Sequence, residues 1–373
     1  MTPSPNTIRE IAHQAGFDLV AFGPADLGEH GEHFAQWLDA GRAGEMDYLH
    51  RNREVILDPK RFLPDAASTI SLAYDYGGPQ ETLAGGQGKV ARYAKGRDYH
   101  RFLGKATRRM RTDLERAGLA PGTVRVGTDA VPVLERALAS RAGIGFLAKS
   151  AGVISPTLGP YLLLSELITQ VELPYDPPAL GSCGSCTACL DACPTQAITA
   201  PHQVDATRCL SYTTIELRGF IEEPLRRAQG DHFFGCDICL EVCPFTSKGR
   251  NTHSADVPAD MQPHAVLETF DLVGVLELSE QDYQEQWVGT AMRRATRTGL
   301  RRNAAVVLGN LGDPSAGPTL AKALKDPDPV IRGHAAWALG RLQTQRSELS
   351  NQLETEADAR VIQEISEALQ ASG

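Results

Sequence analysis

Apolar residues along the first half of the chain alternate between helical and strand spacing. Ile8, Ile11, Ala12 and Ala15 fall three and four positions apart, which predicts a helix over 7–16, and residues 17–22 read as the strand after it. Residues 33–40 predict a second helix, and Gly44 to Leu49 form a turn into another short one. A β-rich run over 68–74 ends at Gly77-Gly78, and 78–88 is a glycine-rich loop expected to be exposed and mobile. The stretch 91–118 enters a long helix, with Asp98 as its N-cap and Gly118 as its stop. A short strand over 123–126 delivers Asp129 into a turn before Pro132, and a helix follows over 133–142. Residues 161–169 are apolar enough for a buried strand or a buried helix, which periodicity does not separate. Pro174, Pro177 and Pro178 then mark a linker, so an α/β or α+β domain is expected before them.

The C-terminal pattern is a repeat. Arg301, Ala304, Ala305, Leu308, Gly309 and Leu311 recur 31 residues later as Arg332, Ala335, Ala336, Leu339, Gly340 and Leu342. Six identities in register predict stacked α-helical units of HEAT-like type, with a period shorter than usual, each burying its apolar face on the next. Val361 and Ile362 echo Val330 and Ile331, as suits a capping unit.

Composition changes this picture mainly through cysteine. Cys183, Cys186, Cys189 and Cys193 have the C-x2-C-x2-C-x3-C-P spacing of a bacterial ferredoxin, while Cys236, Cys239 and Cys243 before Pro244 repeat all but its first member. Cys209 supplies that member, and these are all eight cysteines of the chain. The spacing predicts one [4Fe-4S] cluster on Cys183, Cys186, Cys189 and Cys243 and another on Cys193, Cys209, Cys236 and Cys239. Disulfides and zinc fit less well: the chain is long, shows no signal peptide, and zinc needs neither the triple spacing nor the prolines. At 373 residues the protein is also too long for an electron carrier alone. No apolar run approaches the roughly 20 residues of a membrane helix, so a cytoplasmic protein without membrane contact is expected. The net charge of −9 opposes indiscriminate nucleic-acid binding but leaves room for a local basic face.

Two basic stretches qualify. Arg97, Arg101, Lys105, Arg108 and Arg109 lie along one side of the predicted helix, as a phosphate site or as a solvated face. Arg293, Arg294, Arg297, Arg301 and Arg302 put five guanidinium groups within ten residues at the edge of the repeats, which favours an RNA backbone over a solvated first repeat. Arg332 occupies the position equivalent to Arg301 one repeat later.

The order of these features resembles the epoxyqueuosine reductases, cobalamin-dependent enzymes of tRNA modification, over essentially the whole chain. The residues that carry the resemblance are Arg92-Tyr93-Ala94-Lys95-Gly96-Arg97-Asp98-Tyr99-His100, Asp129 with Glu135-Arg136-Ala137, Ala142-Gly143-Ile144-Gly145-Phe146, both cysteine motifs, and residues 330–338 of the repeat. The resemblance implies a multidomain protein: an α/β (α+β) cobalamin-binding catalytic domain over 1–173, a ferredoxin-like double [4Fe-4S] domain over 174–250, and a linker with HEAT-like repeats over 251–373. It implies reduction of epoxyqueuosine to queuosine at the tRNA wobble position, with an external low-potential electron donor, the anticodon stem-loop as partner, and a monomeric state. The sequence lacks Asp-x-His-x-x-Gly, so a cobalt without a histidine ligand is implied.

The same resemblance assigns residues. Asp129 is the expected proton donor, a role that requires burial to raise its pKa. Ala91, Asp129, Val153, Ser155 and Leu164 match the cobalamin pocket, with Ser211 and Asp237 beside the second cluster. Tyr99 and His100 line the substrate entrance. Arg97, Arg101, Lys105, Arg293, Arg294, Arg297, Arg301 and Arg332 are the expected tRNA contacts. A corrinoid reductive dehalogenase and a non-enzymatic electron-transfer module are the competing readings, distinguished by salt-dependent binding of the modified stem-loop.

Overall fold

Four strands form one antiparallel sheet in the order Leu19–Pro24, Ser68–Asp75, Leu162–Thr169, Val124–Gly127. Residues 162–169 are thereby decided as a strand. The strand is central, flanked by Ser68–Asp75 and Val124–Gly127, and a helix covers each of its faces, so most of its side chains are buried. The computed structural model describes residues 2–77, 88–248 and 261–371, so the glycine-rich loop lies outside the described residues apart from Gly88.

Side chains alternate across this sheet. On one face Ala21, Ala73, Leu162, Leu164 and Ile168 meet the helix Glu135–Ala142 through Ala137, Leu138, Ala139 and Ala142. On the other, Ser165 meets Thr128 and Thr128 meets Thr107 of the helix Tyr99–Arg116, at 3.0 and 3.3 Å. That helix begins where expected: the Asp98 side chain accepts the His100 N–H, and Gly118 with φ +112° ends the turn. Three helix starts differ from expectation: the first helix is Pro5–Gln14, begun by Pro5 behind the Ser4 cap. The second helix is Glu29–Asp39, because its first turn is polar and has no apolar periodicity to announce it. The later one starts at Glu135, since 131–134 form a turn.

By contacts the chain divides into two units, Met1–Pro79 with Asp98–Ala206 and Asp237–Met261, and Gln80–Arg97 with Thr207–Cys236 and Gln262–Gly373. The cysteine-rich stretch is shared between them.

In the second unit the helices Thr296–Leu311, Pro329–Leu342 and Ala359–Ala371 pack in succession. Gly309 and Gly340, equivalent in the repeat, let them approach. A Cβ on Gly309 would come within 2.9 Å of the Ala338 Cα, and one on Gly340 within 2.7 Å of the Ala368 Cα. Phe233, Phe270, Trp287 and Met292 extend the same core. Arg226 and Glu364 form a buried ion pair there, at 2.6 and 2.5 Å. No helix among the described residues is long and apolar enough to cross a membrane.

Candidate active site

Asp129 follows the edge strand Val124–Gly127 and has φ +50°, a left-handed conformation that Asp tolerates better than most residues. Its N–H donates to Glu135 Oε1 at 2.6 Å, which ties the loop to the start of the next helix. The carboxylate, 50 % exposed, accepts from the Tyr99 hydroxyl and from His100 Nε2, the latter at 2.7 Å. Tyr99 and His100 stack with ring centroids 4.2 Å apart. His100 Nδ1 meets Asp98 Oδ1 at 2.7 Å, so the same carboxylate that caps the helix also holds the ring.

This arrangement corrects the protonation expected for Asp129. Burial pushes its carboxyl upward, but the hydrogen bonds from His100 and Tyr99 outweigh it and hold the pKa below the ordinary value. His100 changes the other way. Burial opposes its charge, yet the hydrogen bonds to Asp129 and Asp98 raise it to about 9. The acids that burial does raise are two others. Glu135 is pushed well above the usual range by burial and by the Asp129 charge. Glu166, fully buried in the central strand, rises to about 8 through burial, although Thr69 and Ser71 donate to its Oε2 at 2.6 and 2.7 Å. Its Oε1 has no partner among the described residues. One charged residue within the otherwise uncharged run 162–169 was the available signal for Glu166.

Val153 is buried beside the partly exposed Leu162 and Leu164. Ser155 is buried, and its hydroxyl is engaged by the N–H groups of Thr157 and Leu158 at 3.3 and 3.2 Å. Ala91, also buried, and Ser211 belong to the second unit, whereas Asp237, 7 % exposed, belongs to the first.

Among the cysteines, Cys183 and Cys243 pack against Phe146, Ala148 and Ile154. Burial and then the proximity of Cys183, Cys186 and Cys243 raise the Cys189 thiol, so the four thiols expected on one cluster repel one another's charge. The Lys149 N–H donates to Cys183 Sγ at 3.4 Å, and the Ala197 N–H to Cys193 Sγ at 3.2 Å. Burial raises Cys193, but the Thr195 hydroxyl and that N–H lower it below the ordinary thiol. Cys193 and Cys239 lie in the first unit, Cys209 and Cys236 in the second.

The basic residues separate into two kinds. Arg101, Lys105 and Arg108 are exposed on the Tyr99–Arg116 helix and form no ion pair with the described residues. Those near the repeats are occupied. Arg293 bonds Gln284, Arg294 grips Glu216 at 2.8 Å through two nitrogens, and Arg297 pairs with Glu280 at 3.1 Å. Arg97 pairs with Thr290 through its backbone, in an isolated antiparallel β-bridge. Arg301 and Arg332, expected at an RNA backbone, are instead scaffolding. Arg301 donates to the Leu276 carbonyl and pairs with Asp326 at 2.6 Å, while Arg332 donates to the Asp326 and Pro327 carbonyls and pairs with Glu356 at 2.7 Å. Arg302, fully buried, donates to the carbonyls of Thr213, Leu217 and Gly219.

Three family models match parts of the chain: the 4Fe-4S double cluster binding domain over 182–246, HEAT repeats over 286–370, and Epoxyqueuosine reductase QueG, DUF1730, over 57–130. The double-cluster match over the stretch that holds all eight cysteines defines the class as an iron–sulfur protein. The epoxyqueuosine reductase of Pseudomonas aeruginosa is 38% identical over 346 residues, covering 90% of this chain and 93% of the relative. That of Escherichia coli is 32% identical, covering 97% of this chain and 96% of the relative. The chain belongs to the epoxyqueuosine reductase family. A crystal structure of an epoxyqueuosine reductase with an epoxyqueuosine-modified tRNA-Tyr stem loop superposes with a TM-score of 0.87 at 32% identity, covering 98% of both chains. One from Bacillus subtilis, with its Asp catalytic loop swung out of the active site, gives the same TM-score, identity and coverage.

Proposed function

We propose that this chain reduces epoxyqueuosine to queuosine on tRNA, with Asp129 presenting the proton to the departing oxygen. The observation that carries the reading is the Asp129 carboxylate, half exposed at the end of the edge strand and held by Tyr99 and His100. Converting an epoxide to an alkene removes its oxygen as water and consumes two electrons and two protons. An alkoxide leaves poorly without an acid, so a positioned proton lowers the barrier.

The residues present fit cobalamin. Continuing the antiparallel register beyond Gly127 opposite Glu166 brings residue 129 to the level of Leu164. There Leu162 and Leu164, partly exposed against Val153, make an apolar ledge suited to a corrin face. Val153, Ser155 and Leu164, with Ala91, would hold the group. Cys183, Cys186, Cys189 and Cys243 would ligate one [4Fe-4S] cluster and Cys193, Cys209, Cys236 and Cys239 the other, with Ser211 and Asp237 next to the latter. Clusters held there would supply electrons one at a time from an external low-potential donor, and a corrinoid would supply the two-electron reducing chemistry at the substrate.

The exposed Arg101 and Lys105 take the phosphates of the anticodon stem-loop. Arg97 is a further phosphate contact, and Arg293, Arg294 and Arg297 reach phosphate only by leaving Gln284, Glu216 and Glu280. Tyr99 and His100 line the entrance and orient Asp129.

Anaerobic reconstitution with iron, sulfide and cobalamin, followed by reductant and an epoxyqueuosine-containing stem-loop, tests the reaction. Nucleoside mass analysis is expected to record loss of one oxygen. Unchanged epoxide with both cofactors bound overturns the reading. Asp129→Asn is expected to abolish turnover while retaining both cofactors.

A further inference from the structure

Resting on that reading, the geometry points to His100 as the store for a reaction proton and to Asp98 as the residue that positions it. The two ring nitrogens of His100 face two different carboxylates, Nδ1 at 2.7 Å from Asp98 Oδ1 and Nε2 at 2.7 Å from Asp129 Oδ2. An ionised carboxylate only accepts hydrogen bonds, so both nitrogens carry protons and the ring is a cation. A neutral imidazole could satisfy only one of the two.

The reduction needs this store. The balanced step is epoxide plus two electrons plus two protons giving alkene and water, with both carbon–oxygen bonds broken. Both electrons come from the external donor, and the ionised Asp129 carries no proton of its own; the His100–Asp129 pair holds one proton on Nε2 and takes up the second from bulk solvent when Nε2 reloads. In the resting arrangement Asp129 is ionised and the shared proton sits on His100 Nε2. Desolvation disfavours a separated ion pair relative to its neutral form. Covering the half-exposed Asp129 with substrate therefore drives the proton along the existing 2.7 Å hydrogen bond to the Asp129 carboxylate, beside the departing oxygen. His100 becomes neutral and keeps its Nδ1–H on Asp98, which prevents ring rotation and leaves Nε2 aimed at Asp129 for reloading.

The charged and titratable groups around His100 are Asp98, Tyr99 and Arg101 on its own segment and Asp129 from the facing loop. Glu135 and Arg136 act on it through Asp129. Of these, Asp98 bonds the backbone N–H and Nδ1 of His100, on the side of the ring away from Asp129, and its role is to hold Nδ1.

Asp98→Asn separates this role from a structural one, because Asn caps a helix as well as Asp does. The test uses the full-length reconstituted chain with nitrogen-labelled histidine. The His100 titration midpoint, about 9 in the unaltered chain, is expected to fall by about one pH unit or more in Asp98→Asn. The high-pH limb of kcat should fall with it, with KM for the modified stem-loop and iron and cobalamin contents unchanged. A His100 midpoint identical in both chains overturns the proposal. So does a lowered midpoint with an unmoved kcat limb, since His100 would then supply no reaction proton. An unaltered chain that leaves the epoxide intact overturns the reductase chemistry itself, whereas the titration reads the Asp98–His100 pair with no substrate present.

Discussion

Neutralising Arg101 and Lys105 together separates a true phosphate site from the basic residues that only look like one. The two lie four residues apart on the Tyr99–Arg116 helix, which puts them on one face about 6 Å apart along its axis. Both are exposed and neither is ion-paired with a described residue, so their charges are available to a polyanion. Each phosphate neutralised contributes about 0.7 to 0.9 to the slope of log affinity against log salt. Removing two therefore flattens that slope by about 1.6, so that between about 50 and 200 mM salt the unaltered chain loses about tenfold more affinity than Arg101→Gln/Lys105→Gln. Fluorescence anisotropy of a labelled, epoxyqueuosine-containing stem-loop across that salt range reads the difference. Arg301→Gln is the control: its guanidinium is committed to Asp326 and the Leu276 carbonyl, so it should lower stability and leave the salt slope alone. Parallel salt plots for the double variant and the unaltered chain would refute the assignment, as would a flattened plot for Arg301→Gln.

Arg226→Met leaves Glu364 buried with only Arg360 at 3.3 Å, so urea unfolding should show a loss of about 3–5 kcal/mol, most of it recovered when Glu364 is also made Leu. A loss under about 1 kcal/mol would contradict the burial of that pair. Glu166 has its folded pKa raised to about 8, above the unfolded carboxyl value, so the folded state binds the extra proton and stability falls as pH rises towards 8. Glu166→Gln removes this contribution, and its unfolding midpoint should change less between pH 6 and 8 than that of the unaltered chain; equal changes would count against a protonated Glu166. Cys243→Ser should lose one of two clusters, seen as halved iron content after anaerobic reconstitution, and full iron retention would remove Cys243 from the ligand set.

Much of the architecture was legible because its causes are local. Ligation of a cluster constrains cysteines a few residues apart, so the spacing from Cys183 to Cys243 already matched a double-cluster domain. Asp98 was readable as an N-cap because the bond to the His100 N–H spans two residues. The 31-residue repeat was visible because each unit packs on its neighbour in the same way, down to Gly309 and Gly340. That repeat also held a clue about the arginines. Arg301 and Arg332 recur with the packing positions, and a residue that recurs with the packing serves the packing.

Charge state was not legible, because it depends on neighbours brought from distant segments. Asp129 meets Tyr99 and His100 from about thirty residues away, and those contacts reverse the pKa direction that burial alone would impose. Burial in the central strand raises Glu166, against the lowering effect of the hydroxyls of Thr69 and Ser71, nearly one hundred residues earlier. The sequence by itself determined the cluster cysteines, the helical repeat and the helix cap, since each is written in short-range spacing. Only the tertiary structure decided which basic residues are free and which acid holds the proton, because desolvation and ion pairing are set by the whole surroundings of a group.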